Sequence, residues 1–325
     1  MPSSSCLRVL VLLAVAAFAS RAEAQQQANG FAVERLYPSA PGAGWFVMDA
    51  LDLHGGLGGV IGMNVDYANN PLRVTDGTHR LAVVSSESMV DVGAAITYSR
   101  WRFYLNLEVP LVITGQSGMV GGYTFTAPSV SLAATPDTIS DPRLGVDVRI
   151  YGGPGARFRF GLGAQLLVPD FKQAQYVTDG TFRGMIRALF AGDVGHFTYA
   201  AQLGVHIRPR DNDAIPGSPK GSELLFGIAA GAKIAVKHDW AVILGPEIFG
   251  ATAFKSFLTS NGTALEGLLS ARIEGTRADK PQVRIKLGVG AGLNDHFGAP
   301  EWRLALGVEL FNHSFRATAA AAAAK

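Results

Sequence analysis

The chain has 325 residues, of which 48% are hydrophobic and only 17% charged, and its formal net charge is +2. A balance this close to neutral removes the electrostatic ground for nucleic-acid binding. A single cysteine, Cys6, excludes a disulfide framework and a thiolate metal site.

Residues 1–24 carry the pattern of a secretory signal peptide. Arg8 supplies the positive region, Val9 to Phe18 the apolar run, and Ala22, Glu23 and Ala24 a small-x-small cleavage site before Gln25. The run is too short for a helical span, which needs about 20 apolar residues. Cleavage there removes Cys6, so the exported chain is expected to hold together without covalent cross-links.

Residues 25–56 form an N-terminal segment ahead of any regular pattern. Within it, Trp45 to Gly56 has the composition of a strand. Three readings are open. It extends the first strand, it pairs with 30–38 as additional strand, or it folds inward as a plug.

From residue 57 the apolar residues recur with period two. Trp101, Phe103, Leu105, Leu107, Val109 and Leu111 alternate with Arg102, Tyr104, Asn106, Glu108 and Pro110. On a strand, such alternation makes one oily face and one polar face. The same reading gives about twelve segments: 57–68, 81–98, 101–111, 142–151, 157–168, 181–192, 197–208, 222–236, 240–252, 263–274, 282–293 and 301–311. Most exceed the length of soluble strands, about six residues, and match the roughly ten that a tilted membrane-crossing strand needs. A soluble β-sandwich or lipocalin-like barrel would turn the oily face inward. Its repeated Trp, Phe, Leu, Val and Ile show little of the size variation that a filled interior needs.

The expected fold is therefore all-β: an antiparallel up-and-down transmembrane β-barrel of about 12 strands over residues 57–311, with 14 as the alternative. Connections alternate short and long, as periplasmic turns and outer loops do. Both barrel ends then fall on the periplasmic side of a bacterial outer membrane. Tyr98, Trp101, Phe158, Phe197 and Trp240 fit one interfacial girdle, and Tyr67, Phe182 and Trp302 the other. Pro246 lies inside a segment and predicts a bulge there. Residues 312–325 form an alanine-rich tail.

The lumen parity collects charge. Arg143, Arg149, Arg157, Arg159, Arg183, Arg187, His206 and Arg208 fall on consecutive strands, with Glu247, Glu266, Glu108 and Asp66 across the barrel. These are the candidate pore-lining residues. A transverse field of this kind sorts polar solutes in a narrow pore. The function expected is a porin-like passive channel for small polar solutes. The alternative is a closed structural or interaction barrel whose lumen charges pair as filler. Asp147, Lys233, Arg272, Arg284 and Lys286 break the segregation. No nucleophile and histidine share the lipid-facing side, and no His-x-x-x-His, Walker or dinucleotide motif occurs. No enzyme, cofactor or metal site is expected. The expected partners are outer-membrane lipid, the barrel-insertion machinery and small polar solutes.

Several stretches resemble one bacterial family. They are Gly30 to Pro38, Trp45 to Asp52, Gly221 to Gly227, Gly245 to Gly250, Leu265 to Leu269 and Phe297 to Trp302. They are similar to the N-terminal β-barrels of OmpA-like and porin-like outer-membrane proteins. The resemblance covers scaffold pieces, without a chemical signature. In that family a periplasmic peptidoglycan-binding domain often follows the barrel. Here only 14 residues follow Phe311, so that activity is not carried over. The last strand ends near Phe311, resembling the aromatic-terminated strands read by the insertion machinery, although Phe311 falls on the lumen parity.

Overall fold

The computed structural model describes residues 26–27, 30–53, 56–135, 138–169, 176–209, 221–237, 240–260, 262–275 and 282–311. The signal peptide assigned to 1–24 and the tail assigned to 312–325 lie outside them.

Twelve long strands form a closed antiparallel barrel. They are β1 (Leu57–Thr75), β2 (Arg80–Tyr98), β3 (Trp101–Thr114), β4 (Arg143–Tyr151), β5 (Arg159–Leu167) and β6 (Arg183–Val194), then β7 (Phe197–Ile207), β8 (Glu223–Lys237), β9 (Trp240–Ala253), β10 (Thr263–Gly275), β11 (Gln282–Gly292) and β12 (Trp302–Phe311). Each strand pairs with its neighbours in sequence, and β12 closes on β1 from Trp302↔Asn69 to Phe311↔Val60. Closure leaves no unpaired edge, the condition for a sheet to stand in hydrocarbon.

The alternation predicted from sequence sets the two faces. Along β3, Trp101, Phe103, Leu105 and Leu107 are exposed, while Arg102, Tyr104, Asn106 and Glu108 are buried. Apolar side chains point outward all round the barrel, among them Ile61, Ile96, Ile186, Leu203, Ile228, Leu287 and Leu304. A continuous band of exposed apolar residues on a closed even-stranded barrel is the surface of an outer-membrane protein in contact with lipid. Tyr98, Trp101, Phe158, Phe197 and Trp240 mark the end with the short turns. Phe182 and Trp302 mark the other end, where Trp302 lies 5.0 Å from the Tyr67 ring.

The expected count of 12 holds and the alternative of 14 does not, because 45–53 makes bends and one isolated bridge, Gly44↔Asp49, rather than a barrel strand. Two expectations need correction. Pro246 does not sit at a bulge. It stays in register with Leu269 of β10, whereas the ladder toward β8 skips Gly245 and Pro246, so the missing N–H falls on a gap. The irregularity on that side lies at Lys233–Ala235. The other concerns β1, which runs beyond its expected end at 68 to Thr75, and its hairpin with β2 continues past a register shift at Asn69–Leu72, where Asn70 has φ 50°.

The long β3–β4 connection carries short strands at Gly118–Val120, Tyr123–Phe125 and Ser129–Ser131, the last pairing with the end of β3. Gln26–Gln27 pairs in parallel with Tyr123 and Thr124 of this connection. The chain therefore passes from the long-loop end, through the lumen, to the start of β1 at the turn end.

Candidate functional site: the occupied lumen

Residues 30–53 are enclosed by the barrel. Phe31, Val33, Leu36, Trp45, Phe46, Val47, Met48, Leu51 and Leu53 are all nearly fully buried, as are Glu34, Arg35, Ser39 and Asp49. Leu36, Trp45, Phe46, Val47, Met48 and Leu51 share one cluster with Leu189, Ala191, Ala200, Ala229, Ile243, Phe249, Leu268 and Ala305, which face inward from the wall, while Phe31 and Val33 join a second one with Val83, Ile113 and Phe297.

Small wall residues make the room. An added Cβ at Gly231 would lie 2.7 Å from the Trp45 ring, and one at Gly227 would lie 2.3 Å from the Met48 methyl. The glycines of the lumen face are thus filled sockets rather than open water. Backbone freedom matters at Gly44, where φ is +98° and the chain turns within the lumen.

At the loop end, Phe31 stands edge-on to Phe297, with ring centroids 5.0 Å apart. The Ala32 N–H donates to Asp179 at 2.9 Å, and Val33 N–H to the Tyr176 carbonyl at 3.2 Å. Burial opposes ionisation of Asp179, but Arg208, Arg183 and the Ala32 N–H together hold its carboxyl down at about 2. Arg35 pairs with Glu223 at 3.0 Å, and Arg208 joins Glu223 at 2.9 Å to Asp179 at 2.6 Å.

Three clasps follow along the segment. Arg303 of β12 donates to Glu34 at 3.0 Å, to Glu266 at 2.7 Å and to Asp66. Arg143 of β4 reaches the Pro38 carbonyl at 2.8 Å and Asp91 at 3.0 Å. Arg102 of β3 bonds both Asp49 and Asp147, and Asp147 also takes Arg187 at 3.1 Å.

Glu247 of β9 makes the most directional contact. Its carboxylate accepts backbone N–H donors from Phe46 at 3.0 Å, Val47 at 3.0 Å and Met48 at 3.3 Å. Hydrogen bonds to an ionised acceptor are stronger than neutral ones. Beside it, Arg272 lies 4.7 Å over the Trp45 ring and Lys286 lies 5.1 Å from the Phe46 ring centre.

Of the candidate pore-lining residues, Arg143, Arg149, Arg159, Arg183, Arg187, His206, Arg208, Glu247, Glu266, Glu108 and Asp66 are buried inside the barrel. Arg157 is not among them. It precedes β5, is exposed, and lies in the β4–β5 turn, where its carbonyl accepts the Tyr199 hydroxyl at 2.8 Å. The expected segregation of charge is only partial. Arg187 meets Asp147 from a neighbouring part of the wall, and Arg284 and Lys286 meet Glu309 at 2.7 Å and 3.0 Å. Sequence reasoning missed Arg303, which meets three carboxylates, and Arg102, which meets two, although both sit on the lumen parity. It also missed their acidic partners Glu34 and Asp49 on the inner segment. Among the described residues, no group of three or more His, Asp or Glu side chains is placed to hold a metal ion.

No protein-family model and no curated protein sequence matches the chain. Solved structures do. An outer membrane channel from Pseudomonas putida F1, of the COG4313 group, aligns with a TM-score of 0.51 at 13% identity, over 84% of this chain and 100% of that one. The NanC porin aligns at 0.42 and 8% identity, over 76% and 98%. The CymD monoaromatic hydrocarbon channel aligns at 0.43 and 8% identity, over 86% and 98%. The first of these likenesses is one of fold alone.

Proposed function

We propose that the protein is a porin-like outer-membrane channel for small polar solutes, closed in this conformation by residues 30–53. The observation that carries this reading is the way the segment is held. It docks on a charged wall through ion pairs and backbone hydrogen bonds to Glu247, Arg303, Arg143 and Arg102, all of them reversible without breaking a covalent bond. With the segment withdrawn, the wall left behind presents Glu247, Arg303, Arg143 and Arg102 beside apolar side chains such as Leu189 and Phe249, and such charged groups are what an aqueous path uses. The name of the Pseudomonas putida F1 protein, a channel, agrees with this use of the fold. Kinship with OmpA-like barrels rests on the sequence pieces alone.

The test is planar-bilayer conductance of the mature chain beside a variant lacking 30–53. The full chain is expected to conduct rarely, and the deleted one steadily. A folded deletion variant that stays silent would refute the channel. It would favour the closed structural barrel, which the pairing of Arg102, Arg187 and Arg303 with buried carboxylates also fits.

A further inference from the structure

At the turn end a groove of about 590 Å³ opens beneath the β4–β5 connection. Its lining includes Arg100, Arg149, Arg157, Ile150, Tyr151 and Phe158, with no acidic side chain among the described residues. Arg149 is the buried member, at 6% exposure. One of its terminal nitrogens donates to the Leu51 carbonyl at 3.2 Å, while its Nε is buried without a hydrogen-bond partner. A buried guanidinium nitrogen left unpaired calls for an acceptor. The charged groups that bear on Arg149 are Asp52, Arg159 and Arg100, one anion against two cations.

The groove is also rigid and faces lipid on one side. The Arg149 N–H donates to the Arg100 carbonyl at 2.9 Å, and the Asp193 N–H to the Ala156 carbonyl at 3.1 Å, which pins the connection. Tyr151 and Phe158 are exposed, with ring centroids 6.0 Å apart, and Ile150 points outward beside them. Aromatic side chains at a strand end sit at headgroup level. Guanidinium groups bind phosphate by paired N–H donors, and basic pockets at this depth take anionic headgroups.

We propose that this groove binds the phosphate of an anionic phospholipid headgroup, with the acyl chains lying along Ile150 and Phe158. The site needs no conducting lumen, so it stands or falls separately from the channel reading.

Native mass spectrometry of the mature protein tests it, in micelles doped with phosphatidylglycerol, with phosphatidylcholine, or with inorganic phosphate alone. The comparison is an Arg100→Gln/Arg157→Gln double variant, whose two sites are exposed and whose folding is checked by heat-modifiable gel mobility. The wild type is expected to retain phosphatidylglycerol in preference to phosphatidylcholine, and the variant to lose that retention by about tenfold or more. Equal retention of the two lipids, or retention unchanged in the folded variant, overturns the proposal. Retention of inorganic phosphate with no preference among lipids reassigns the groove to a soluble anion and also overturns it.

Discussion

Glu247→Gln is the sharpest perturbation of the docked segment. The native carboxylate accepts from three backbone donors, at 3.0, 3.0 and 3.3 Å, and is fully buried. The amide keeps one acceptor oxygen and turns an NH2 toward the remaining N–H. At least one charge-assisted bond, worth about 1.5–3 kcal/mol, is lost, and those that stay lose the charge. A net loss of roughly 2–3 kcal/mol raises the ratio of displaced to docked segment about 30–140-fold, at about 1.4 kcal/mol per tenfold. Wall-to-wall pairs outlast the change, so the barrel should still form. The assay is twofold: the fraction of time spent conducting in a bilayer, and tryptic cleavage at Arg35 in the folded protein. Glu274→Gln, which breaks the wall pair with Arg284 at 2.9 Å, is the control. If folded Glu247→Gln protein conducts no more and is cleaved no faster than wild type, the carboxylate is not what holds the segment.

Three other expectations follow from the same contacts. Arg187→Glu leaves Asp147 and Asp49 facing a third carboxylate with only Arg102 between them; breaking a buried pair costs about 3–5 kcal/mol, so the temperature of the folded-to-unfolded gel transition should fall, and an unchanged transition with altered ion selectivity would show an open lumen instead. Asp179 is depressed to about 2 in the folded protein, so its contribution is fully present above its unfolded value of about 3.9 and is lost as pH falls through 2. Hydrogen exchange at Ala32 and Val33 should therefore stay slow from pH 7 to about 4 and quicken only below, and Asp179→Asn should remove that transition. Leu105→Arg places a charge on the lipid face of β3 and should cost roughly 2–4 kcal/mol, read as lost membrane-fraction protein; normal assembly would contradict the assigned faces.

The strands were legible because the environment of each alternates with the period of the backbone. Lipid on one side and lumen on the other write Trp101 to Pro110 as apolar-polar pairs, and strand ends near Tyr98, Phe197, Trp240 and Phe311 agree with the structure. Residues 45–53 carry no such record. The wall surrounds them on all sides, so Trp45, Phe46, Val47 and Met48 are buried in succession and mimic a strand by composition. Arg157 was misplaced because it stands two residues before β5, where a small boundary error decides between lumen and rim. Arg102 and Arg303 were visible as polar residues on the correct parity. Their importance was not, since their carboxylate partners include Asp49 and Glu34 on a segment with no pattern of its own.

The ion pair between Arg303 and Glu34 joins positions 269 apart in the chain. Glu34 precedes β1 and Arg303 lies on β12, so the clasp forms only once the entire barrel sequence is present. Before that moment Glu34, Asp66 and Glu266 are three carboxylates awaiting the guanidinium they will share. The loop that must close spans the whole barrel sequence, which places this contact late in folding. The pairing of β12 with β1 brings Arg303 opposite Ala68, two residues from Asp66. Sealing the wall and tethering the enclosed segment are in this way one terminal event, and an assembling chain short of its last strand has neither.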